Sequence, residues 1–359
     1  MENVTYKCPN CGASLDFGAA TGQMQCEYCD STFDVETLRD FSAETEEAGT
    51  EETNWEQENP ENHWTDEEAE SLCSYVCRFC GAEVVTDKTT AASKCPYCDN
   101  NLIFTEKLTG SLKPDVVIPF KITKKQAEEA LKQFCSGKFL LPKSYHTESR
   151  IAEIKGVYVP FWLYDCNAEG NMRFDARNVR SWSDRNFIYT KTDHYLVERT
   201  ARMGFANIPE DGSTKAEDNY MEALEPFDYR ELRAFDMPYL SGFLADRYDV
   251  SAEECRTRAE TRIRNSVEQE ISKTVHGYQS MTVRSRQVHM EAGKVKYGLL
   301  PVWMLSTQYK DKIYRFAMNG QTGKFVGELP IDWTKFWSLF AGITAVGAVI
   351  GGIVGFLGL

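Results

Sequence analysis

The spacing of apolar and polar residues predicts two amphipathic helices in the middle of the chain. Thr123 and Gln126 form a capping-box pattern, and apolar residues follow at helical spacing, namely Ala127, Ala130, Leu131 and Phe134. Ser251 and Glu254 form a second capping box before a longer stripe, composed of Cys255, Ala259, Ile263, Val267, Ile271 and Val275. Because each stripe covers one face only, we expect both helices to pack against a core.

Similar strand-like segments follow the two helices. The first reads GVYVPFWLYD (156–165) and the second reads GLLPVWMLS (298–306). Further along, apolar residues alternate with polar ones before the turn pair Asn319-Gly320, a pattern typical of a β-hairpin.

The repeated order of helix and strand predicts a mixed α+β domain over residues 109–332. The similar segments indicate an internal duplication, with units around 115–175 and 236–330. Residues 172–236 would then be an insertion between the copies, and they contain the strand-like stretch FIYTKTDHYLVERTA.

The last apolar segment, 336–359, is an uncharged run of 24 residues. As a helix it would be about 36 Å long, enough to cross the ~30 Å hydrocarbon core of a bilayer. Trp333, Lys335 and Trp337 stand at its start, where a membrane interface would hold them. We therefore expect residues 333–359 to form a C-terminal membrane anchor.

This anchor predicts a single-pass, tail-anchored protein of the cell membrane. Since the residues after Met1 lack the apolar core of a secretory signal, and no domain follows the apolar run, the N-terminal domains are expected in the cytoplasm. Gly347, Gly351 and Gly355 recur at every fourth position, which favours a homo-oligomer through this helix face. Simple tolerance of glycine in membrane helices is the alternative.

The formal net charge of -14 comes almost entirely from one segment. Between Glu36 and Glu70 there are fourteen acidic residues and a single lysine or arginine, Arg39. Such a composition cannot bury enough apolar surface to offset the entropy lost on ordering, so we expect a flexible linker over residues 36–71. The rest of the chain is close to neutral, which does not favour general binding of polyanions.

Eight of the twelve cysteines form two copies of one pattern. Two residues separate the members of each pair, fourteen residues separate the pairs, and the second copy lies 69 positions after the first. The first copy is Cys8, Cys11, Cys26 and Cys29, and the second is Cys77, Cys80, Cys95 and Cys98. Four thiolates at this spacing predict closed structural sites for two Zn²⁺ ions, in zinc ribbons over residues 1–35 and 72–108.

The remaining reactive residues form no catalytic set. Cys73 could compete as a ligand, but the equal spacing of the two copies favours leaving it out. Three further cysteines are expected to be buried apolar residues: Cys135, Cys166 and Cys255. The histidines lack metal-ligand spacing, and only His194, beside Asp193, merits inspection. The segment NGQTGK (319–324) lacks the spacing of a phosphate loop and is expected to be a hairpin turn.

Taken together, the ribbons and several segments resemble the bacterial TFIIB-type zinc ribbon-containing proteins. The segments are IPFKIT, GVYVPFWLYD, EPFDYRELRAFDMPYLSGFLADRYDV, LLPVWML and MNGQTGK. The resemblance covers nearly the whole chain, implies the same eight zinc ligands and supplies no catalytic residue. Some members are described as primosomal helicase-like, but this chain has no Walker motif, so helicase activity is not supported.

These features favour a membrane-anchored scaffold or adaptor whose ribbons dock a protein partner in the cytoplasm. A nucleic-acid-binding module tethered to the membrane is one alternative. Charge disfavours it, because lysines and arginines number one against five acidic residues in 1–35 and four against four in 72–108. An enzyme or ligand-binding activity in the α+β domain is the other alternative, although the lack of a catalytic motif favours a non-enzymatic role.

Overall fold

A computed structural model describes residues 15–18, 23–26, 32–33, 53–90, 92, 94–105, 111–142, 153–215, 218–309 and 312–357. The chain forms two compact units. The hairpin unit contains Asn167–Gly204, Arg262–Glu291 and the described part of Met1–Asn54. The ribbon unit contains Trp55–Cys166, Phe205–Thr261 and the described part of Ala292–Leu359.

The described residues contain sixteen strands and five α-helices, which confirms a mixed α+β fold. The strands are β1 (Asp16–Gly18), β2 (Gln23–Gln25), β3 (Thr32–Phe33), β4 (Trp55–Gln57), β5 (Leu72–Cys77), β6 (Glu83–Asp87), β7 (Leu102–Thr105), β8 (Val116–Val117), β9 (Lys155–Ser183), β10 (Ile188–Asp211), β11 (Arg233–Ala234), β12 (Leu244–Asp246), β13 (Ser280–Met290), β14 (Gly293–Tyr309), β15 (Lys312–Asn319) and β16 (Phe325–Gly327). The helices are α1 (Asp66–Glu70), α2 (Lys124–Cys135), α3 (Asp218–Leu224), α4 (Ala252–Lys273) and α5 (Trp333–Leu357).

Strands β1, β2 and β3 form a small antiparallel sheet near the start of the chain. Cys26 directly follows β2 and is buried. The other predicted ligands of the first ribbon, Cys8, Cys11 and Cys29, lie outside the described residues. The first zinc site therefore stays a prediction.

The hairpin unit is built around the long strands β9 and β10, which pair with each other. Strand β13 pairs antiparallel with β9 from Ala168 to Arg177. Val267 and Ile271 of α4 pack on Gly170 of β9, where an added Cβ would lie within 3 Å of both side chains. The stretch FIYTKTDHYLVERTA, predicted as a strand, lies in β10 except for its first residue.

Residues 53–71 differ from the flexible linker expected over 36–71. Strand β4 pairs in parallel with β14 of the ribbon unit. Thr65 caps α1 through the full capping-box pattern with Glu68, and Trp64 is buried. The acidic composition misled the prediction because a few apolar side chains, Trp55 and Trp64 above all, supply enough burial to order the segment. Residues 36–52 lie outside the description.

The second ribbon continues into the main sheet of the ribbon unit. The strand order is β11-β8-β14-β9-β12-β6-β5-β7. Strand β12 pairs in parallel with β9 on one side and antiparallel with the ribbon strand β6 on the other. Backbone hydrogen bonds therefore join the ribbon strand β6 and strand β12 of the α+β part in one sheet.

The two similar segments noted in the sequence are neighbours in this sheet. Strands β9 and β14 pair antiparallel from Lys155 to Asp165. Strand β8 runs parallel to β14, pairing Val116 with Gly298, and β12 runs parallel to β9, pairing Leu244 with Val157. In each case the short strand precedes a capped helix, α2 or α4.

Two tryptophans reinforce this arrangement. Trp162 Nε1 donates to the carbonyl of Val250, which immediately precedes the capping residue Ser251. Trp303 Nε1 donates to the carbonyl of Ile122, which immediately precedes the helix cap of α2. Both rings are buried.

Helix α5 begins at Trp333, the first residue of the predicted C-terminal anchor and three residues before the uncharged run. Asp332 precedes it and accepts a hydrogen bond from the backbone N–H of Thr334 at 3.1 Å. Lys335 Nζ donates to the carbonyl of Leu141 at 2.6 Å, which ties the base of the helix to the segment after α2.

Candidate metal centre

Four cysteine thiols of the second ribbon converge in the ribbon unit. The sulfur atoms of Cys77, Cys80, Cys95 and Cys98 all lie within 4.8 Å of one another. Sγ–Sγ distances are 3.5 Å for Cys77–Cys98 and 3.6 Å for both Cys80–Cys95 and Cys80–Cys98. A tetrahedral ion with Zn–S bonds of about 2.3 Å separates its ligands by about 3.8 Å, so the cluster has the dimensions of a metal site.

Tight backbone turns bring the sulfurs together. Gly81 adopts φ 77° and donates its N–H to the carbonyl of Cys77 at 2.8 Å, which closes the first knuckle. Asp99, with φ 60°, does the same at the second knuckle by donating to the carbonyl of Cys95 at 3.0 Å. Sequence analysis did not identify Asp99, although aspartate is among the residues that tolerate this conformation.

The environments of the thiols differ. Burial acts to raise the pKa of Cys77, but hydrogen bonds from the backbone N–H groups of Cys80 and Phe79 outweigh it, and the pKa lies below its ordinary value. Burial raises the pKa of Cys80 to about 11 and that of Cys95 well above its usual range. Metal binding must therefore displace protons from buried thiols, and Cys77 releases its proton most readily of these three.

The donor set fits one resident metal ion. Cys77, Cys95 and Cys98 are buried and Cys80 is half-buried, and all four are free thiols. Four protein ligands complete a tetrahedral shell and leave no position for a substrate, which is the arrangement of a structural site. The cluster could thus hold a single ion that stabilises the ribbon.

Side chains and backbone groups from distant segments fasten the second knuckle. Tyr97, between the two ligands of that knuckle, donates its hydroxyl to Asp246 of β12 at 2.5 Å. Ser213 donates to the same carboxylate oxygen at 2.6 Å. Arg315 Nε donates to the carbonyl of Tyr97 at 3.1 Å, and Ser306 Oγ to that of Pro96 at 2.7 Å. The metal centre and the α+β sheet are therefore mechanically linked.

Large apolar side chains are exposed on the second ribbon. Phe79, inside the first knuckle, is 71% exposed. Phe104 and Ile103 of β7 are 54% and 40% exposed. Strand β7 is the last strand in the order given above, so the ribbon combines exposed apolar side chains with a sheet edge.

Other residues singled out in the sequence lie outside this cluster. Cys73 is not among the four converging thiols, and the three cysteines expected to be buried are so: Cys135, Cys166 and Cys255. His194 Nε2 has no hydrogen-bond partner in the described part of the chain, and Asp193 pairs instead with Lys191 at 2.9 Å.

The segment NGQTGK forms the predicted hairpin turn between β15 and β16. Asn319 is buried, and its Oδ1 accepts from the N–H groups of Gln321 and Thr322. Gln321 exchanges hydrogen bonds with the backbone of Asp228. The turn therefore has a structural role in holding the segment after α3.

One helix in the described residues is long and apolar enough to span a membrane. The span is Trp333–Gly351, with mean hydropathy 1.3 and no part buried. Side chains beyond 351 lie outside the description, so Gly355 of the predicted oligomer face is not placed, whereas Gly347 and Gly351 have open space beside them.

Comparison with known proteins gives one relative of nearly equal length. The chain is 36% identical over 340 residues to the "Uncharacterized protein YdjG" of Bacillus subtilis (strain 168), covering 95% of this chain and 94% of that protein. No family model matches the chain, and no solved structure matches it. Because identity is high over almost the whole of both chains, this protein belongs to the same family as Bacillus subtilis YdjG.

Proposed function

We propose that this protein is a membrane-anchored, zinc-stabilised adaptor that docks a protein partner through its second ribbon. The observation that carries the proposal is the exposure of three large apolar side chains on the second ribbon, Phe79, Ile103 and Phe104, the last two in the edge strand β7. Aromatic side chains are enriched at protein interfaces, and a free sheet edge can accept a strand from a partner.

Zinc is the ion proposed for the cluster. Four thiolates with tetrahedral dimensions suit Zn²⁺, which binds without redox chemistry. The identical spacing in the first ribbon supports a second structural ion at Cys8, Cys11, Cys26 and Cys29. This reading agrees with the resemblance to TFIIB-type zinc ribbon-containing proteins.

The membrane is the proposed location of the adaptor. Helix α5 is the proposed single-pass anchor in the cell membrane, with the ribbons in the cytoplasm. Thiols that must stay reduced to bind metal suit that compartment. The balanced charge of the second ribbon favours a protein partner over nucleic acid.

An internal duplication is the proposed origin of the ribbon unit's sheet. Support comes from the matching registers of β8 on β14 and β12 on β9, and from the two indole hydrogen bonds at the helix starts. In this reading each copy places its tryptophan against the helix of the other copy.

The docking proposal is tested by affinity capture of the full-length protein from detergent-solubilised native membranes, with zinc measured on the same sample. The double variant Phe79→Ala, Phe104→Ala should lose its specific partner by about tenfold or more, since loss of a single aromatic hot spot costs about 2 kcal/mol. The matched control Phe139→Ala removes a phenylalanine that is 65% exposed outside the ribbon, and it should retain the partner.

The zinc content of each variant distinguishes loss of the docking surface from loss of the fold. All three proteins should contain two zinc ions per chain. Capture of the same partner by the double variant at wild-type level would contradict the docking surface, and a metal content near zero in the wild type would contradict the zinc assignment.

A further inference from the structure

A cavity of about 500 Å³ lies in the ribbon unit beside the metal centre. The loop after β6, the start of α2, the start of β9, the segment before β12 and β14 all contribute to its wall. Its most distinctive lining residues are Lys94, Lys124, Lys155, Gly156, Phe243 and Trp303. Three of its lining residues are lysines. The volume falls within the range of sites for small molecules.

The lysines are incompletely neutralised. Lys155 is half-buried, and its Nζ donates to the backbone carbonyl of Lys94 at 2.7 Å. No carboxylate lies within ion-pair distance of Lys155 or Lys124 in the described part of the chain. Lys94 pairs with Asp99 at 3.3 Å. A half-buried ammonium without a carboxylate partner is costly, so the cavity favours an anion.

The second of the two similar segments has a lysine that can be compared with Lys155. Lys155 and Lys296 each stand five residues before a proline of the similar segments, Pro160 and Pro301. Lys296 is neutralised by Asp165 at 2.5 Å, with Glu58 at 4.0 Å.

The first residues of the two capped helices also differ in charge. The residue after the cap is Lys124 in α2 and Ala252 in α4. Lys296 is therefore neutralised by a carboxylate, whereas Lys124 and Lys155 line the cavity without one.

Two carboxylates act on Lys155 without forming an ion pair with it. Burial lowers the pKa of Lys155, and the charges of Asp99 and Glu153 act in the opposite direction. Asp99 pairs with Lys94, and one buried carboxylate oxygen of Glu153 has no hydrogen-bond partner in the described part of the chain. Phe243 and Trp303 supply an apolar wall next to the cations, so the cavity offers contacts for both a charged and an apolar part of a ligand.

We propose that this cavity binds a compact oxyanion, a phosphoryl or carboxylate group, held by Lys124 and Lys155 and followed by an apolar portion against Phe243 and Trp303. The site goes beyond the adaptor function, because its residues do not overlap the exposed ribbon surface. Since Lys94 belongs to the ribbon and Lys124 to α2, a bound ligand would join the ribbon to the α+β part of the same unit.

The test uses zinc-loaded, full-length protein in nanodiscs of phosphatidylcholine and measures binding of inorganic pyrophosphate by calorimetry. Saturable binding is expected, and Lys124→Ala or Lys155→Met should weaken it by at least about tenfold, the usual effect of losing a hydrogen bond to a charged group. Lys125→Ala is the matched control, because that lysine is exposed on the same first turn and does not line the cavity; its affinity should stay within twofold.

Lys155→Arg keeps the charge if Lys155→Met fails to fold, and it should retain binding within about tenfold. A second arm replaces pyrophosphate by nanodiscs containing phosphatidylglycerol. Lysine-dependent binding to those discs alone assigns the oxyanion to a lipid headgroup, and binding of pyrophosphate assigns it to a soluble molecule. Absence of binding in both arms, or an equal loss in Lys125→Ala, would overturn the proposal.

Discussion

At the scale of single residues, Asp87 has the most consequential carboxylate of the second ribbon. Its Oδ1 accepts from the N–H groups of Thr89 and Thr90 at 2.6 and 2.8 Å, and its Oδ2 from the N–H of Gly242 at 3.2 Å. Burial opposes ionisation, but hydrogen bonds from the hydroxyl groups of Thr89 and Thr90, together with those from the N–H groups, outweigh it and lower the pKa to about 2. The carboxylate thus closes its own turn and joins it to the segment before β12.

Replacing this carboxylate tests that role. Asp87→Asn loses a charged acceptor and should lower the free energy of unfolding by about 1–2 kcal/mol at pH 7, measured by urea titration. The folded pKa is depressed below the unfolded value of about 3.9, so the difference from wild type should stay constant above pH 5. It should shrink as the pH falls from about 4 toward 2.

Comparing the two proteins at each pH removes the shared effect of metal loss, because both contain the same thiols. Glu67→Gln, an exposed carboxylate of α1, is the control and should change stability by less than about 0.5 kcal/mol. A difference for Asp87→Asn that disappears already at pH 6 would contradict the assignment.

At the scale of elements, the sequence predicted what local patterns determine. The capping boxes of α2 and α4, the four convergent thiols and the hairpin turn at Asn319 all depend on residues close together in the chain. Helix caps and metal knuckles have short, specific spacings, so they can be recognised without knowing the fold.

The remaining features depend on pairs far apart in sequence. Tyr97 reaches Asp246 across 149 positions, and Trp55 packs on Gly293, where an added Cβ would meet its ring at 2.3 Å. Nothing within the ribbon or the acidic segment identifies these partners. The fusion of the ribbon with the sheet, the ordering of residues 53–71 and the lysine cavity were therefore not predictable from local pattern.

The paired tryptophans give the element-scale prediction. Trp162→Phe and Trp303→Phe each remove an indole N–H and leave a carbonyl before a helix cap without its donor. Each should lower the free energy of unfolding by about 1–3 kcal/mol in urea titration, and equivalent roles for the two indoles predict losses that agree within about 1 kcal/mol. The control Trp182→Phe, at a position 54% exposed, should have little effect.

Equivalent roles for the two indoles are contradicted by unequal losses of stability. If one substitution is neutral while the other is strongly destabilising, the two hydrogen bonds do not have equivalent roles.

At the scale of the whole molecule, three features belong to the ribbon unit: the thiol cluster, the lysine cavity and the base of α5. Lys335 and the N–H of Asp332 bond to the carbonyls of Leu141 and Leu140, so the start of α5 is held by folded structure. Trp333 and Trp337 are 54% and 59% exposed there. An anchor fixed in this way would keep the ribbon unit at the bilayer surface.

Charge placed in the middle of α5 tests the anchor. Val346→Asp with Ile350→Asp puts two carboxylates one turn apart near the helix centre, where each costs about 2.5–3.5 kcal/mol on insertion. The variant should move from the membrane pellet to the soluble fraction after carbonate extraction, while zinc content stays unchanged because the cluster lies in the folded unit. Thr334→Asp with Ser338→Asp adds the same charge at the interfacial start and should remain in the pellet. Retention of the central variant in the pellet would show that α5 does not span the bilayer, and the adaptor would then require a different attachment to the membrane.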